Sequence, residues 1–246
     1  MKIVAIIQAR MGSSRLPGKI LRRLLDDTVL GHVVKRAGAA GKINQVVIAT
    51  TLSSMDDVVV REAERLGVTV TRGSELDVLD RYYRAACQVK ADVIVRITSD
   101  CPLLDSALVD AMVGKFLSLT AAGAAVDYLS NTVIRTYPRG LDAEIFTFRA
   151  LERAHTEAAS AAEREHVTPY LYRHPELFRI EQYAAERNLS HHRWTLDTVE
   201  DWQLLSAIFE HFDRPDFSTA EVSDFLSEHP EIARLNAGVE QKAMGH

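Results

Sequence analysis

The sequence predicts an α/β fold built on a doubly wound, mostly parallel sheet. Three observations predict it: short apolar runs alternate with amphipathic stretches, the first run stops abruptly at a polar loop containing glycine, and the helical stretches open on capping residues. Parallel strands are covered by helices on both faces, so they read as near-continuous apolar runs.

Residues 2–8 (KIVAIIQ) are the first run, 45–50 (QVVIAT) the second, 68–71 a weaker third and 92–98 (DVIVRIT) a strong fourth. Residues 33–40, 56–66 and 76–89 read as the helices between them, an alternation that calls for right-handed crossovers. Ser53 and Ser54 ahead of Asp56 and Asp57 mark one helix start, and Asp105-Ser106 marks another for a segment running to about Leu117. The rhythm then changes. Residues 126–129 and 178–183 read as strands, 134–145 as irregular, and 148–162 and 163–172 as helices. Residues 202–212 and 219–228 read as closing helices. The expected organisation is one domain, 1–236, with an inserted arm at about 130–185 and a flexible tail, 237–246.

Composition excludes several function classes. The net charge of −5 has no basic surplus to draw the chain onto nucleic acid. The apolar run 3–7 is too short for a signal peptide or a membrane span, so no membrane partner is expected. Cys87 and Cys101 are the only cysteines, which fits a cytoplasmic location and rules out a disulfide framework and a four-cysteine zinc site.

The loop Gln8-Ala9-Arg10-Met11-Gly12-Ser13-Ser14-Arg15-Leu16-Pro17-Gly18-Lys19 follows the first strand directly. Ligands of open α/β sheets bind at the carboxyl ends of strands. Arg10, Arg15 and Lys19 are cations, and the glycines and serines let backbone amides approach phosphate oxygens. The loop is not a P-loop: five residues separate Gly12 from Gly18-Lys19, and Ile20 follows where Ser or Thr is needed. A dinucleotide fingerprint is absent. A solvated basic turn is the competing reading, disfavoured because three cations gather at one strand end of an acidic protein.

This loop resembles the signature of the cytidylyltransferase family that includes acylneuraminate and 3-deoxy-manno-octulosonate cytidylyltransferases, and most resembles its spore coat polysaccharide biosynthesis protein F branch. The resemblance continues through Arg72-Gly73-Ser74 with Asp77, Asp80, Arg81, Tyr82 and Tyr83, and through Arg96, Asp100 and Pro102. It reappears at Tyr137, Arg139, Gly140 and Asp142, at Glu163-Arg164-Glu165-His166 with Tyr170, and at Arg193-Trp194 with Asp197. It spans about residues 1–210.

The resemblance implies a Rossmann-like sheet of the nucleotide-diphospho-sugar transferase type and transfer of CMP from CTP to a sugar acid or similar acidic acceptor. Pyrophosphate leaves, in surface polysaccharide or glycan precursor synthesis. Mg²⁺ and a homodimer are implied with it. Gln8, Ala9, Arg10, Gly12, Ser13, Ser14, Arg15, Lys19 and Thr98 would hold the nucleotide, with Arg10, Arg15, Lys19 and Asp100 catalytic. Arg72, Gly73 and Ser74 follow the third strand, where they could reach base or ribose.

Asp100 follows the fourth strand and Asp197 follows residues 193–196, which could form another strand. Each is open to a cap or turn reading; the resemblance makes them the pair that holds the metal, which suits Mg²⁺. Tyr137, Arg139, Asp142, Glu163, Arg164 and His166 lie in the arm and would meet the acceptor, Arg being suited to carboxylate or phosphate. His166 and the trio Arg81, Tyr82 and Tyr83 also admit purely structural roles. His191 and His192 read as a solvated loop, and Trp194 as core. Two other functions stay open: a glycosyltransferase of the related nucleotide-sugar-binding fold, disfavoured because no Asp-x-Asp ends a suitable strand, and a non-catalytic nucleotide-binding protein.

Overall fold

The computed structural model describes residues 1–241. The chain opens with β1 (Ile3–Gln8), turns through the hairpin β2 (Arg23–Leu24) and β3 (Asp27–Thr28), and enters α1 (Val29–Gly38). It alternates β4 (Gln45–Thr51), α2 (Asp57–Arg65), β5 (Thr69–Gly73), α3 (Val78–Val89) and β6 (Val93–Thr98) before α4 (Ser106–Ala121). β7 (Tyr128–Ser130), β8 (Glu144–Thr147), α5 (Phe148–Glu157), α6 (Ala161–His166), α7 (Pro169–Arg173) and β9 (Ile180–Gln182) follow. The described chain closes on α8 (Val199–Phe212), α9 (Thr219–Glu228) and α10 (Pro230–Ala233). No described helix is long and apolar enough to cross a membrane.

Seven strands form one sheet in the order β5-β4-β1-β6-β8-β7-β9. β4, β1 and β6 pair in parallel, as do β5 with β4 and β9 with β7; only β8 runs against its neighbours. The mostly parallel, doubly wound sheet expected from the apolar runs is the one observed. The chain leaves β1 towards β4 on one side and returns to β6 on the other. Loops after β1 and β6 therefore diverge and leave a crevice between them.

Side chains alternate across a strand. Ile3, Ala5 and Ile7 accordingly join α1, α2 and α4 in one core, while Val4 and Ile6 join α3, α5 and α7 in another. A third apolar cluster positions the site. It packs Leu16 of the loop after β1 against Leu103, Leu141, Trp194, Leu196 and the inner faces of α8 and α9.

The second half departs from the sequence reading in its details. The helix expected over 148–162 stops at Glu157, and Ser160 opens α6 with a capping box closed by Glu163. The helix expected over 163–172 is broken at Val167, whose φ of 73° and ψ of −56° close a γ-turn with Thr168 N–H donating to the His166 carbonyl at 2.9 Å. Pro169 then starts α7 at a position where its missing N–H costs nothing. Residues 193–196 form no strand, only a bridge pairing Arg139 with Arg193. Within 130–185, read as an arm, β8 and β9 join the central sheet and α5 and α7 cover one face. Of the stretch 237–246, read as a flexible tail, residues 242–246 lie outside the described ones. The earlier part folds back, with Val239 N–H donating to the Asn236 carbonyl at 3.0 Å.

Candidate active site

A cleft of about 1010 Å³ opens over the carboxyl ends of β1 and β6. Its centre is Lys19. The ammonium has three N–H groups, and each has an acceptor: Asp100 Oδ2 at 2.7 Å, Asp197 Oδ1 at 2.7 Å and the Leu196 carbonyl at 2.6 Å. Two carboxylates 97 residues apart in sequence thus converge on one cation. Leu16 and Leu196 make this possible, because both are buried in the third core and draw the loop after β1 against the segment before α8.

The second Asp197 oxygen, Oδ2, faces Arg15 Nη2 at 2.9 Å and Arg193 Nη2 at 2.7 Å. Arg193 also pairs with the fully buried Asp201 at 2.9 Å. Three cations here face three carboxylates in a largely buried setting. Burial alone would raise the Asp197 pKa, but Lys19, Arg193 and Arg15 reverse this and hold it below the ordinary value of 3.8. Burial alone would lower the Lys19 pKa, and Asp100 and Asp197 together hold it above 10.5.

Of the residues expected to hold a nucleotide, Gln8, Ala9, Arg10, Gly12, Ser13, Ser14, Arg15, Lys19 and Thr98 line this cleft. Arg72, Gly73 and Ser74 do not. The Arg72 guanidinium is used up bracing the loop after β4, donating at 2.8 Å to the Thr51 and Ser53 carbonyls and pairing with Asp57 at 2.7 Å. Gly73 and Ser74 serve instead to place Arg81. A Cβ on Gly73 would stand 2.8 Å from Arg81 Cγ, and the Ser74 carbonyl accepts from Arg81 Nη1 at 2.9 Å. Arg81 lines the cleft in their stead.

Of the acceptor set, Arg139, Asp142 and His166 line the cleft. Tyr137 is turned away and stacks on Tyr183 with ring centroids 6.2 Å apart. Glu163 is occupied by the capping box, and Arg164 forks onto Asp77 at 3.0 Å and donates to the His155 carbonyl at 2.7 Å. None of the three lines the cleft: Tyr137 packs on Tyr183, Glu163 caps its own helix, and Arg164 ties α6 to Asp77 ahead of α3 and to α5.

Arg139 reaches the cleft through backbone contact. Its N–H donates to the His192 carbonyl at 3.1 Å, and its own carbonyl accepts from Trp194 N at 2.6 Å. Gly140, at φ 111°, permits that approach; a Cβ there would lie 2.5 Å from the Trp194 carbonyl carbon. His166 sits beside the strained turn at Val167, and burial, assisted by Arg96, lowers its pKa against the opposing pull of Glu165.

The floor of the cleft holds residues that the sequence did not single out for the site. Arg96 of β6 and Glu144 of β8 are directly paired in register and form an ion pair. Arg96 also donates to Gln8 Oε1 at 3.2 Å, and Thr168 Oγ1 donates to Glu144 at 2.7 Å. An arginine inside the apolar run 92–98 was the available signal. Its partner came from a stretch read as irregular. Arg135, paired with Asp142 at 2.5 Å, was likewise missed. His192 is no solvated residue either: it is half-buried and stacks on Trp194, which packs in the core as expected.

The donor set fits a divalent cation. Asp100 and Asp197 already share one cationic locus, taken by the Lys19 ammonium, and both offer hard oxygen ligands. Such an ion would complete its shell with water and substrate oxygens, as Mg²⁺ does.

Over residues 4–228 the sequence matches the cytidylyltransferase family. It is 35% identical to the spore coat polysaccharide biosynthesis protein SpsF of Bacillus subtilis, over 94% of this chain and 96% of that one. The fold superposes on a solved cytidylyltransferase from Leptospira borgpetersenii with a TM-score of 0.90 at 37% identity, covering 100% of both chains. A CMP:2-keto-3-deoxy-manno-octonic acid synthetase solved with CTP shares the fold alone, with a TM-score of 0.64 at 18% identity over 86% of this chain and 99% of that one. With the loop after β1, the two converging aspartates and the mixed sheet all in place, this chain belongs to the cytidylyltransferase family and is an enzyme of that kind.

Proposed function

We propose that the enzyme transfers CMP from CTP to a sugar acid or similar acidic acceptor, releasing pyrophosphate, in the synthesis of surface polysaccharide precursors. The observation that carries this reading is the convergence of Asp100 and Asp197 on Lys19 at the mouth of the phosphate-binding loop. An acceptor oxygen attacks the α-phosphorus in line, and catalysis is mostly positioning and charge neutralisation.

In this reading Arg10, Arg15 and the amides of residues 12–14 hold the triphosphate. Arg10 is loosely tied, with Glu75 at 3.4 Å, so its guanidinium is available. Lys19 has no N–H left over, and its first task is to keep the two carboxylates together. Asp100 and Asp197 hold a divalent ion, Mg²⁺ in the proposed enzyme. Once bound, the ion supplies Lewis-acid charge at the α-phosphate. Arg139 takes the acceptor's anionic group. Among the described residues its guanidinium makes no ion pair, and burial beside Arg135 lowers its pKa, a state that an arriving carboxylate relieves. His166 donates or accepts as a neutral imidazole.

The test is pyrophosphate release from CTP, UTP, GTP and ATP with Mg²⁺ and a panel of ulosonic and nonulosonic acids. Release with CTP and one of these acids is expected. Binding of CTP without pyrophosphate release from any acceptor sinks the proposal. A homodimer belongs to the same reading, supported by the exposed Val133 and Ile134 in the segment 130–185, and light scattering measures it.

A further inference from the structure

The match to the family ends at residue 228, yet the residues after it return to the site. Asn236 is buried and donates from Nδ2 to the Arg193 carbonyl and to Asp201 Oδ1, both at 2.8 Å. Gln241 lines the cleft, and its Oε1 accepts from Arg193 Nη1 at 2.6 Å. Arg193 holds the Asp197 carboxylate through Nη2, while Asp201 accepts from the Asp197 backbone N–H at 2.9 Å. Side chain and backbone of Asp197 are therefore tied to one buried unit, and residues 236–241 supply part of it.

The division of donors explains why the unit needs its last members. Arg193 forks onto Asp201, with Nε at 2.9 Å and Nη2 at 3.1 Å, and the same Nη2 also reaches Asp197 Oδ2 at 2.7 Å. Nη2 is thus shared between two carboxylates, and a small rotation of the guanidinium on its Asp201 fork would carry it off Asp197. Gln241 occupies Nη1, the nitrogen that faces no carboxylate. Asn236 occupies an Asp201 lone pair and fixes the Arg193 backbone. Together they hold the guanidinium in the orientation in which Nη2 reaches Asp197 Oδ2 as well as Asp201, which leaves Asp197 Oδ1 turned towards Lys19.

We propose that residues 236–241 are a working part of the transfer site, with Asn236 and Gln241 as positioning residues that set the Asp197 carboxylate, through Arg193, for a divalent cation shared with Asp100. This rests on the reading of Asp100 and Asp197 as the metal pair. Partners that orient metal-holding groups typically change metal affinity by about 10–100-fold when removed.

The probe is Mn²⁺, titrated by electron paramagnetic resonance into the full-length protein with CTP and no acceptor, so that no turnover is required. Asn236→Ala is expected to weaken Mn²⁺ binding at least about tenfold, and Gln241→Met to weaken it in the same direction by less. CTP binding in EDTA should stay at the wild-type level in both. Arg193→Ala is a poorer probe, because it leaves Asp201 buried without its cation and threatens folding. Wild-type Mn²⁺ affinity in both variants overturns the proposal, and so does a lowered melting temperature with unchanged Mn²⁺ affinity, which would make the segment packing only. A wild-type protein that binds CTP but no Mn²⁺ overturns the metal reading itself, and this inference with it.

Discussion

Lys19 is held by two carboxylates and a carbonyl, and that arrangement makes specific demands on the residue. Replacing it with methionine keeps the length and removes the charge, leaving Asp100 and Asp197 with Arg15 and Arg193 alone. Cytidylyl transfer by Lys19→Met is expected to fall by about 10²–10³, the usual effect of losing one placed charge contact. Mg²⁺ should raise the melting temperature of this variant more than that of the wild type, since the ion then takes over the missing cation's role. An equal rise in both would show that the ion binds elsewhere. The cluster is insensitive to pH over a wide range. The Asp197 contribution is present above 3.8 and lost as pH falls through its depressed pKa; the Lys19 contribution is present below 10.5 and lost as pH rises through its raised one. His192 behaves differently. Burial, then His191 and Arg187, push its imidazole down to about 4 from 6.5, so the unfolded chain takes up a proton over a range where the folded chain does not. Folding stability should therefore fall as pH drops from 6.5 towards 4, and the slope should become shallower in His192→Gln, with His32 and His166, both also lowered by burial, supplying the remainder. Chemical denaturation across that range, with the His192 ring resonance followed by NMR, measures both.

At the scale of elements, function depends on irregular segments pressed against regular ones. The turn 138–142 carries Arg139 and Asp142 into the cleft because Gly140 lets it lie on Trp194. Gly140→Ala would place a Cβ at 2.5 Å from backbone and impose a φ of 111° on a residue that disfavours it. The expected result is a stability loss of about 1–3 kcal/mol together with a raised KM for the acceptor and little change in CTP binding. Calorimetry and initial rates read these separately; a raised KM for CTP alone would contradict the placement. The γ-turn at Val167 is a second such segment. It costs backbone strain, and it turns both His166 and Thr168 towards the cavity, in keeping with the gathering of strained backbone at functional sites.

For the molecule as a whole, the three apolar clusters have different tasks. Two clamp the sheet between helical layers, and the third joins the chain's first loop to its last helices. Leu196 is fully buried in that third cluster, one residue from Asp197. Leu196→Ala is expected to cost about 2–5 kcal/mol by deletion of buried methyl groups and the cavity left behind. It should also weaken CTP binding, because the loop after β1 loses the surface that aligns it. A destabilised variant with wild-type affinity for CTP would mean that the loop is held in place by its other contacts.

How much of this was legible depended on whether the information was local. β1, β4 and β6 are apolar runs that can only be buried strands, and the caps at Ser53 and Asp105 act within three residues of themselves. The cations of the loop 8–19 could be named because they follow such a run, whereas Asp100 and Asp197 could be paired only through the family resemblance, since Asp197 follows no strand. Arg72 and Arg164 misled, since charge and position along the chain do not reveal that an arginine is already engaged, one with the Thr51 and Ser53 carbonyls and Asp57, the other with Asp77. Glu144 stayed hidden because its partner Arg96 lies 48 residues away and meets it only through antiparallel register.

The sequence by itself therefore determined the alternation of strands and helices, the loop that ends β1 and the kinds of charge the site contains. These follow from periodicity, capping and composition, which act over a turn or a strand. Only the tertiary structure decided which charges meet. It brought Asp100 and Asp197 onto Lys19, placed Arg81 in the cleft where Arg72 was expected, and returned Asn236 and Gln241 to Arg193. Those contacts come from the packing of distant elements around a shared core, which no short window of sequence encodes.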